Sequence, residues 1–185
     1  MSDILAKIET EFFTFEYIDG DLSLDANVLK WYQRFLDKAY NVSTWSKDTS
    51  TKVGAVAYNM KDKMKVPVGE GFNGFPRGVN DNVPERHERP LKYTYCEHAE
   101  RNLIYNNARV GIAMQDTSLF VSHFPCHECA RGIIQCGVSE VVFDKASITA
   151  ETIKNSFVAR WGESFMHSCI MLNEAKVKII GVSRI

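Results

Sequence analysis

His98-Ala99-Glu100 and, further along, Pro125-Cys126-His127-Glu128-Cys129 decide how this chain is read. One imidazole and two thiolates make three ligands for a zinc ion, which takes four in a tetrahedron. A structural zinc site draws its fourth ligand from the protein, whereas a catalytic one leaves that position to water. Glu100, two residues after the histidine, is placed to work on such a water. A lone Cys-x-x-Cys would say little; four chemical types in this order are specific. Cys-x-x-Cys spans about one helical turn, so both sulfurs can face one ion. His98 and Glu100 would diverge on a regular helix, so both reach one site only if the ion lies across the helix start. The partial positive charge of a helix N-terminus would favour thiolate at Cys126 and Cys129.

Outward from this stretch, Ala99, Leu103, Ile104 and Ala108 recur on one apolar face until Gly111, predicting a helix that opens at His98. Residues 118–122 read as a strand, 126–136 as a second helix closed by Gly137, and 140–143 as a further strand. Alternating strands and helices imply parallel pairing with right-handed crossovers. Residues 149–160 predict an exposed helix. Trp161, Phe165, Cys169 and Leu172 fit a last amphipathic helix before a final strand at 177–182. Upstream, Leu24, Val28, Trp31, Tyr32, Phe35 and Ala39 fall on one helical face read as core, with Ser23 or Asp25 as its cap. The small, β-branched run 52–58 predicts a buried strand, and 66–72 returns antiparallel to it across a charged hairpin. Two glycines and a proline in 72–78 demand a sharp turn and close backbone approach. Residues 79–95 read as an inserted, long surface loop, with the charges of 85–92 solvated. Residues 1–20 read as an arm whose aromatics dock on a surface, either another subunit's or this domain's own core. The sum is one domain over 1–185, an α/β fold: a three-layer α/β/α sandwich with a mixed sheet of about five strands.

With 185 residues, a net charge of −1 and charged residues at 24%, the chain has an ordinary globular composition. That balance disfavours a broad nucleic-acid surface, and no apolar run reaches the roughly 20 residues that span a bilayer. Residues 1–13, mixed acidic and apolar, do not read as a secretory signal, having neither its basic start nor its small-residue cleavage site. Five cysteines, two of them at metal spacing, argue for a reducing, cytoplasmic compartment rather than a disulfide framework. Cys96 and Cys136 read as small buried hydrophobes, with a second, structural metal at His87 and Cys96 the weaker alternative. His127, between two ligands, should point away from the ion, and His123 and His167 read as surface or satisfied core histidines.

The chemistry follows from the ligand set. Zinc brings the pKa of water from 15.7 towards about 7. Hydroxide beside an aminated ring carbon attacks it, while Glu100 takes the water proton, passes it to the ring nitrogen and later protonates the amino group that departs as ammonia. Backbone N–H groups near Ala99 could take the ring carbonyl. His-x-Glu followed by Pro-Cys-x-x-Cys is the signature of zinc-dependent deaminases, so a hydrolytic deaminase is expected.

Five stretches carry a more specific resemblance: Trp45-Ser46-Lys47-Asp48, Val53-Gly54-Ala55, Gly71-Phe72-Asn73-Gly74-Phe75-Pro76-Arg77-Gly78, Cys96-Glu97-His98-Ala99-Glu100 and Phe124-Pro125-Cys126-His127-Glu128-Cys129-Ala130. Over about residues 28–143 the chain resembles the deoxycytidylate (dCMP) deaminases of the zinc-dependent cytidine deaminase superfamily. The resemblance implies hydrolysis of dCMP to dUMP and ammonia, feeding thymidylate synthesis. It implies Zn2+ on His98, Cys126 and Cys129, with Glu100 as the proton shuttle. It also implies a substrate pocket of Val53, Asn73, Ala99, Phe124, Lys47 and Arg109. In that pocket Asn73 takes the sugar hydroxyl, the Ala99 backbone the pyrimidine, and Arg109 lies near a subunit interface and the ligand phosphate. Phe72, Gly74, Arg77 and Gly78 would contribute to a nucleotide effector site for dCTP and dTTP, which Mg2+ would accompany. A homo-hexamer or other homo-oligomer is implied. The same residues leave open dCTP, a 5-substituted dCMP, a free nucleoside or tRNA adenosine as substrate, and a zinc-stabilised interaction module without catalysis. Phosphate-contacting residues favour a nucleotide over a nucleoside, and the low net charge disfavours a nucleic-acid polymer.

Overall fold

In the computed structural model, residues 5–9, 14–61, 64–148 and 161–184 are described. Seven strands form one mixed sheet: β1 (Leu5–Glu9), β2 (Thr14–Asp19), β3 (Gly54–Asn59), β4 (Val66–Phe72), β5 (Ser118–Val121), β6 (Glu140–Asp144) and β7 (Lys178–Val182). Their order across the sheet is β1-β2-β7-β6-β5-β3-β4. Strands β5, β6 and β7 pair parallel, as the alternation of elements requires, and β3 pairs antiparallel with both β4 and β5. The helices are α1 (Gly20–Ser23), α2 (Ala26–Ser43), α3 (Lys92–Tyr95), α4 (Ala99–Val110), α5 (His127–Gln135) and α6 (Gly162–Glu174). Among the described residues, no helix is long and apolar enough to cross a membrane.

Period-two alternation along the strands divides the core into two layers. Val56, Phe120, Val142 and Ile180 face α2, meeting Tyr32, Phe35, Leu36, Ala39 and Val42. Ala55, Leu119, Val121, Val141, Phe143 and Ile179 face the opposite side, where Leu103 of α4, Ile133 of α5 and Leu172 of α6 cover them. This is the expected three-layer sandwich. On α2 the stripe differs at one position: Val28 is exposed, and Leu36 and Val42 extend the core instead. Asp25 caps this helix by accepting from the Asn27 backbone N–H at 2.9 Å, whereas the Ser23 hydroxyl has no partner.

The expected count of about five strands is corrected to seven. The two extra strands come from the 1–20 arm, where β1 pairs antiparallel with β2 and β2 pairs parallel with β7. The arm belongs to this chain's own core. Phe15 is fully buried and packs edge-on against Phe124 at 4.4 Å, and Tyr17 packs against Phe143 at 5.2 Å. Phe12 and Phe13 lie outside the described residues, as does the helix expected at 149–160. The 79–95 insertion is not a plain loop; it holds a 3-10 turn at Pro84–His87 and then α3.

Two glycines set how closely helices approach the sheet. A Cβ on Gly54 would lie 2.0 Å from the Ala39 carbonyl oxygen of α2. One on Gly71 would lie 2.5 Å from both the Ala99 carbonyl oxygen and the Leu103 nitrogen of α4. Backbone cannot yield as a side-chain tip can, so the start of α4 sits where it does because residue 71 has no side chain. Gly71→Ala should therefore cost at least about 2 kcal/mol, within the range for overpacking. Urea denaturation checks this; a variant as stable as the wild type would show that α4 is free to shift.

Candidate active site

Each metal-ligand segment is a strand end or loop running into a helix. His98 is the N-cap residue of α4 and Cys126 that of α5, both in extended backbone and neither spending its side chain on a capping bond. Their side chains are thus free to turn away from their own helices. Glu100 is the second residue of α4 and Cys129 the third of α5. An extended His98 ahead of a helical Glu100 resolves the two-residue spacing, because both side chains converge across the helix start.

The His98 Nδ1 lies 3.4 Å from the Cys126 sulfur and 3.5 Å from the Cys129 sulfur. All three ligand atoms lie within 4.8 Å of one another. Zn–S near 2.3 Å and Zn–N near 2.05 Å at a tetrahedral angle require an S···N separation of about 3.6 Å. The donor set, its spacing and its count of three therefore fit zinc with one position left over. Among the described residues no other group of three or more such side chains could share an ion, which leaves Mg2+ and a second metal at His87 and Cys96 without support. The His87 ring nitrogen instead engages the Asp81 carbonyl at 2.7 Å.

Electrostatics suit the same task. The hydrogen bond from the Cys129 thiol, and then the His98 imidazole, pull the Cys126 thiol down to about 3 against the effect of burial. That shared proton and burial push Cys129 upwards. A bound cation deprotonates both thiols outright, and the starts of α4 and α5 supply further positive potential. Glu100 is 3% exposed, and burial drives its carboxyl above the usual range. His98 and Cys126 act on this carboxyl through their charge, which places Glu100 beside the triad. A buried carboxyl poised to hold a proton beside a metal is equipped for general acid–base work. His127 points away as expected, its Nδ1 2.7 Å from the Ser164 hydroxyl. The Trp161 ring at the start of α6 stands 5.8 Å from that of His98.

A cleft of about 330 Å³ opens between Cys96 and Asn102 on one side and Trp45, Phe72 and Phe75 on another, with Lys47, Arg77 and Lys92 among its cations. None of the metal ligands lines it. Phe72, Gly74 and Arg77 line it together with Lys47, whose ammonium meets Asp81 at 2.6 Å. Gly78 lies in the exposed turn that follows. Arg77 donates to the Asn106 side chain at 2.6 Å. The other expected pocket residues are placed differently. Phe124 is 3% exposed, sealed among Phe15, Phe143 and Phe165. The Val53 N–H donates to Asn73 Oδ1 at 2.8 Å, and Asn73 Nδ2 donates to Asp48 and to the Thr51 carbonyl. Ala99 is buried at the first position of α4, and Arg109 is exposed in its last turn, at the end of the helix away from His98.

Three residues carry weight that their sequence neighbours did not signal. Asp48 is a buried hub that accepts from Lys92 Nζ at 2.5 Å, Asn73 Nδ2 at 3.1 Å and the backbone N–H groups of Ser50 and Thr51. Lys92 corrects the reading of 85–92 as solvated charge: its side chain is 12% exposed, drawn in by Asp48. Arg101 joins Glu97 to Glu128.

A sandwich of this architecture, with His and two Cys at two helix starts and a buried carboxylate beside them, defines a zinc-dependent deaminase. Comparison with known proteins agrees. The family described as the cytidine and deoxycytidylate deaminase zinc-binding region matches residues 29–145, and the chain belongs to that family. An uncharacterized deaminase encoded in the luxG 3′ region of Aliivibrio fischeri is 38% identical over 152 residues, 82% of this chain and 93% of that one. The deoxycytidylate deaminase of Mus musculus is 39% identical over 131 residues, 67% of this chain and 71% of that one. The fold is shared with the dCMP deaminase of cyanophage S-TIM5, crystallised with dCMP and dUMP. That match has a TM-score of 0.61 at 20% identity, over 86% of this chain and 99% of that one.

Burial raises the Asp48 pKa, but Lys92 and the Thr51 and Ser50 N–H groups outweigh it and hold the carboxyl below its usual range. The pair's stabilisation is therefore full above the unfolded value of about 3.9 and is lost as pH falls through the lower folded value. Asp48→Asn should cost about 3 kcal/mol at pH 7, as when one partner leaves a buried pair. The gap in urea midpoint should close as pH drops below about 4; a gap that widens in acid would contradict the assignment.

Proposed function

We propose that the protein hydrolyses dCMP to dUMP and ammonia, supplying dUMP for thymidylate synthesis. The observation that carries this reading is the convergence of the buried Glu100 carboxyl on the His98-Cys126-Cys129 triad. His98 Nδ1 and the two sulfurs would hold zinc, which acts as a Lewis acid and lowers the pKa of water towards about 7. Glu100 accepts the proton of the attacking water and delivers it to the ring nitrogen next to the aminated carbon. It then takes the second proton of that oxygen, from the hydroxyl now on the carbon, and gives it to the amine, which leaves as ammonia while the carbonyl forms; one carboxylate thus serves as base and acid in turn. The unpaired N–H groups at the start of α4, around Ala99, take the pyrimidine carbonyl.

Asn73 Oδ1 keeps a second lone pair for the sugar hydroxyl, held in place by Val53 and Asp48. Phe124 shapes the site from within the core rather than by contact. The phosphate is drawn by Lys47, with Arg109 reaching a ligand only across a subunit interface. The aromatic walls and cations of the cleft from Phe72 to Gly78 suit a nucleotide effector such as dCTP or dTTP. A homo-oligomer, hexameric in the fullest form, and a reducing cytoplasmic setting complete the proposal; all five cysteines are free.

Absorbance change on deamination, followed side by side for dCMP, dCTP, deoxycytidine and cytidine, tests the substrate, and added dCTP or dTTP tests regulation. Turnover should be best with dCMP; equal kcat/KM for deoxycytidine would remove the phosphate from recognition. Glu100→Gln should keep its zinc and lose about 10²–10⁴-fold in kcat, the usual worth of a general acid–base. Retained turnover in that variant would sink the mechanism.

A further inference from the structure

The two halves of the metal centre come from separate elements: His98 and Glu100 from the start of α4, Cys126 and Cys129 from the start of α5. The helices pack through apolar side chains further along, where Ile104 approaches Gly132. That contact fixes the helix bodies and leaves their first turns to be set by something nearer the ion. Three charged residues are interleaved with the ligands. Glu97 precedes His98, Arg101 follows Glu100, and Glu128 lies between Cys126 and Cys129. The Arg101 Nε meets Glu97 Oε2 at 2.5 Å, and its Nη1 meets Glu128 Oε2 at 2.8 Å. The guanidinium side chain is 15% exposed and Glu97 29%, so water screens that contact less than an open surface pair; Glu128, 51% exposed, also meets Arg131 at 3.7 Å. Glu97 is itself tied to the end of β4, exchanging backbone hydrogen bonds of 2.9 and 3.0 Å with Gly74. A continuous polar path therefore runs from β4 through Glu97 and Arg101 to the first turn of α5.

We propose that Arg101 is a positioning residue that staples the two halves of the zinc site together by bridging Glu97 and Glu128. It touches no ligand atom of the triad by hydrogen bond or ion pair; it acts through the two glutamates. Charge alone makes the opposite prediction. A cation beside a cation site repels zinc, so a purely Coulombic role would let zinc bind more tightly once Arg101 is gone. The sign of the effect separates the two.

The experiment is zinc release from the full-length holoprotein into excess 4-(2-pyridylazo)resorcinol, followed by the colour of the zinc complex. Arg101→Met should release zinc about 10–100-fold faster than wild type, the usual cost of losing an outer partner of a metal ligand. Arg101→Lys, which keeps the charge but cannot fork between two carboxylates, should fall in between. Glu128→Gln should also speed release, and it carries the test if Arg101→Met does not fold. Melting of the zinc-free proteins provides the control: wild type and Arg101→Met should melt together without metal and separate only when loaded. Release that is unchanged or slower in Arg101→Met, or an equal loss of stability with and without zinc, would overturn the inference. It rests on the metal centre described above. Wild-type protein that holds no stoichiometric zinc would overturn that centre and this inference together, whereas normal zinc content with unaltered release overturns this inference alone.

Discussion

Everything in this structure depends on bringing two helix N-termini to one point. A helix start offers unpaired N–H groups and partial positive charge, and two of them facing each other make a place where thiolates are stable. Here the starts of α4 and α5 provide that place, with His98 and Cys126 as N-cap residues whose side chains are not used for capping. The sheet sets the approach. Strand β4 passes so close beneath α4 that residue 71 must be glycine, and β5 delivers the chain to α5 through the segment that carries Cys126. The buried Glu100 carboxyl follows at no further cost in architecture, because it is the second residue of that same helix start.

Around that point the molecule is built to hold rather than to move. Asp48 gathers the 46–53 loop, the end of β4 and the inserted segment through one buried carboxylate. Asn102 and Asn106 donate to the Phe72 and Glu70 carbonyls, tying α4 to the edge strand β4. The cleft lined by Trp45, Phe72 and Phe75 is thereby framed by pieces from four separate stretches of chain. Its lysines are matched with aspartates, Lys47 with Asp81 and Lys92 with Asp48. An anionic ligand must compete with those partners, so recognition there depends on geometry as well as charge.

Much of this was legible in the residues. The ligand triad and Glu100 could be read from spacing and donor chemistry, and strand and helix positions from apolar periods of two and three to four. What escaped was non-local. Strand β2 joins the sheet by pairing Ile18 and Asp19 with Ile180 and Gly181, far away along the chain, and a short mixed run carries no mark of such a partner. Lys92 sits in a charged segment that looks solvated until Asp48 is folded beside it. Phe124 follows the strand β5 and reads as a pocket wall, yet three other phenylalanines enclose it. Arg101 occupies an ordinary helical position, and only the approach of α5 gives it a second carboxylate.

The central claim is that the protein supplies three ligands and leaves the fourth position open for chemistry at Glu100. Zinc K-edge X-ray absorption of the resting holoprotein tests this most directly. The account predicts two sulfurs at about 2.3 Å and two nitrogen or oxygen donors at about 2.0–2.1 Å, with a single imidazole among them. A third sulfur or a second imidazole would mean an ion closed by protein on all sides, and would contradict it.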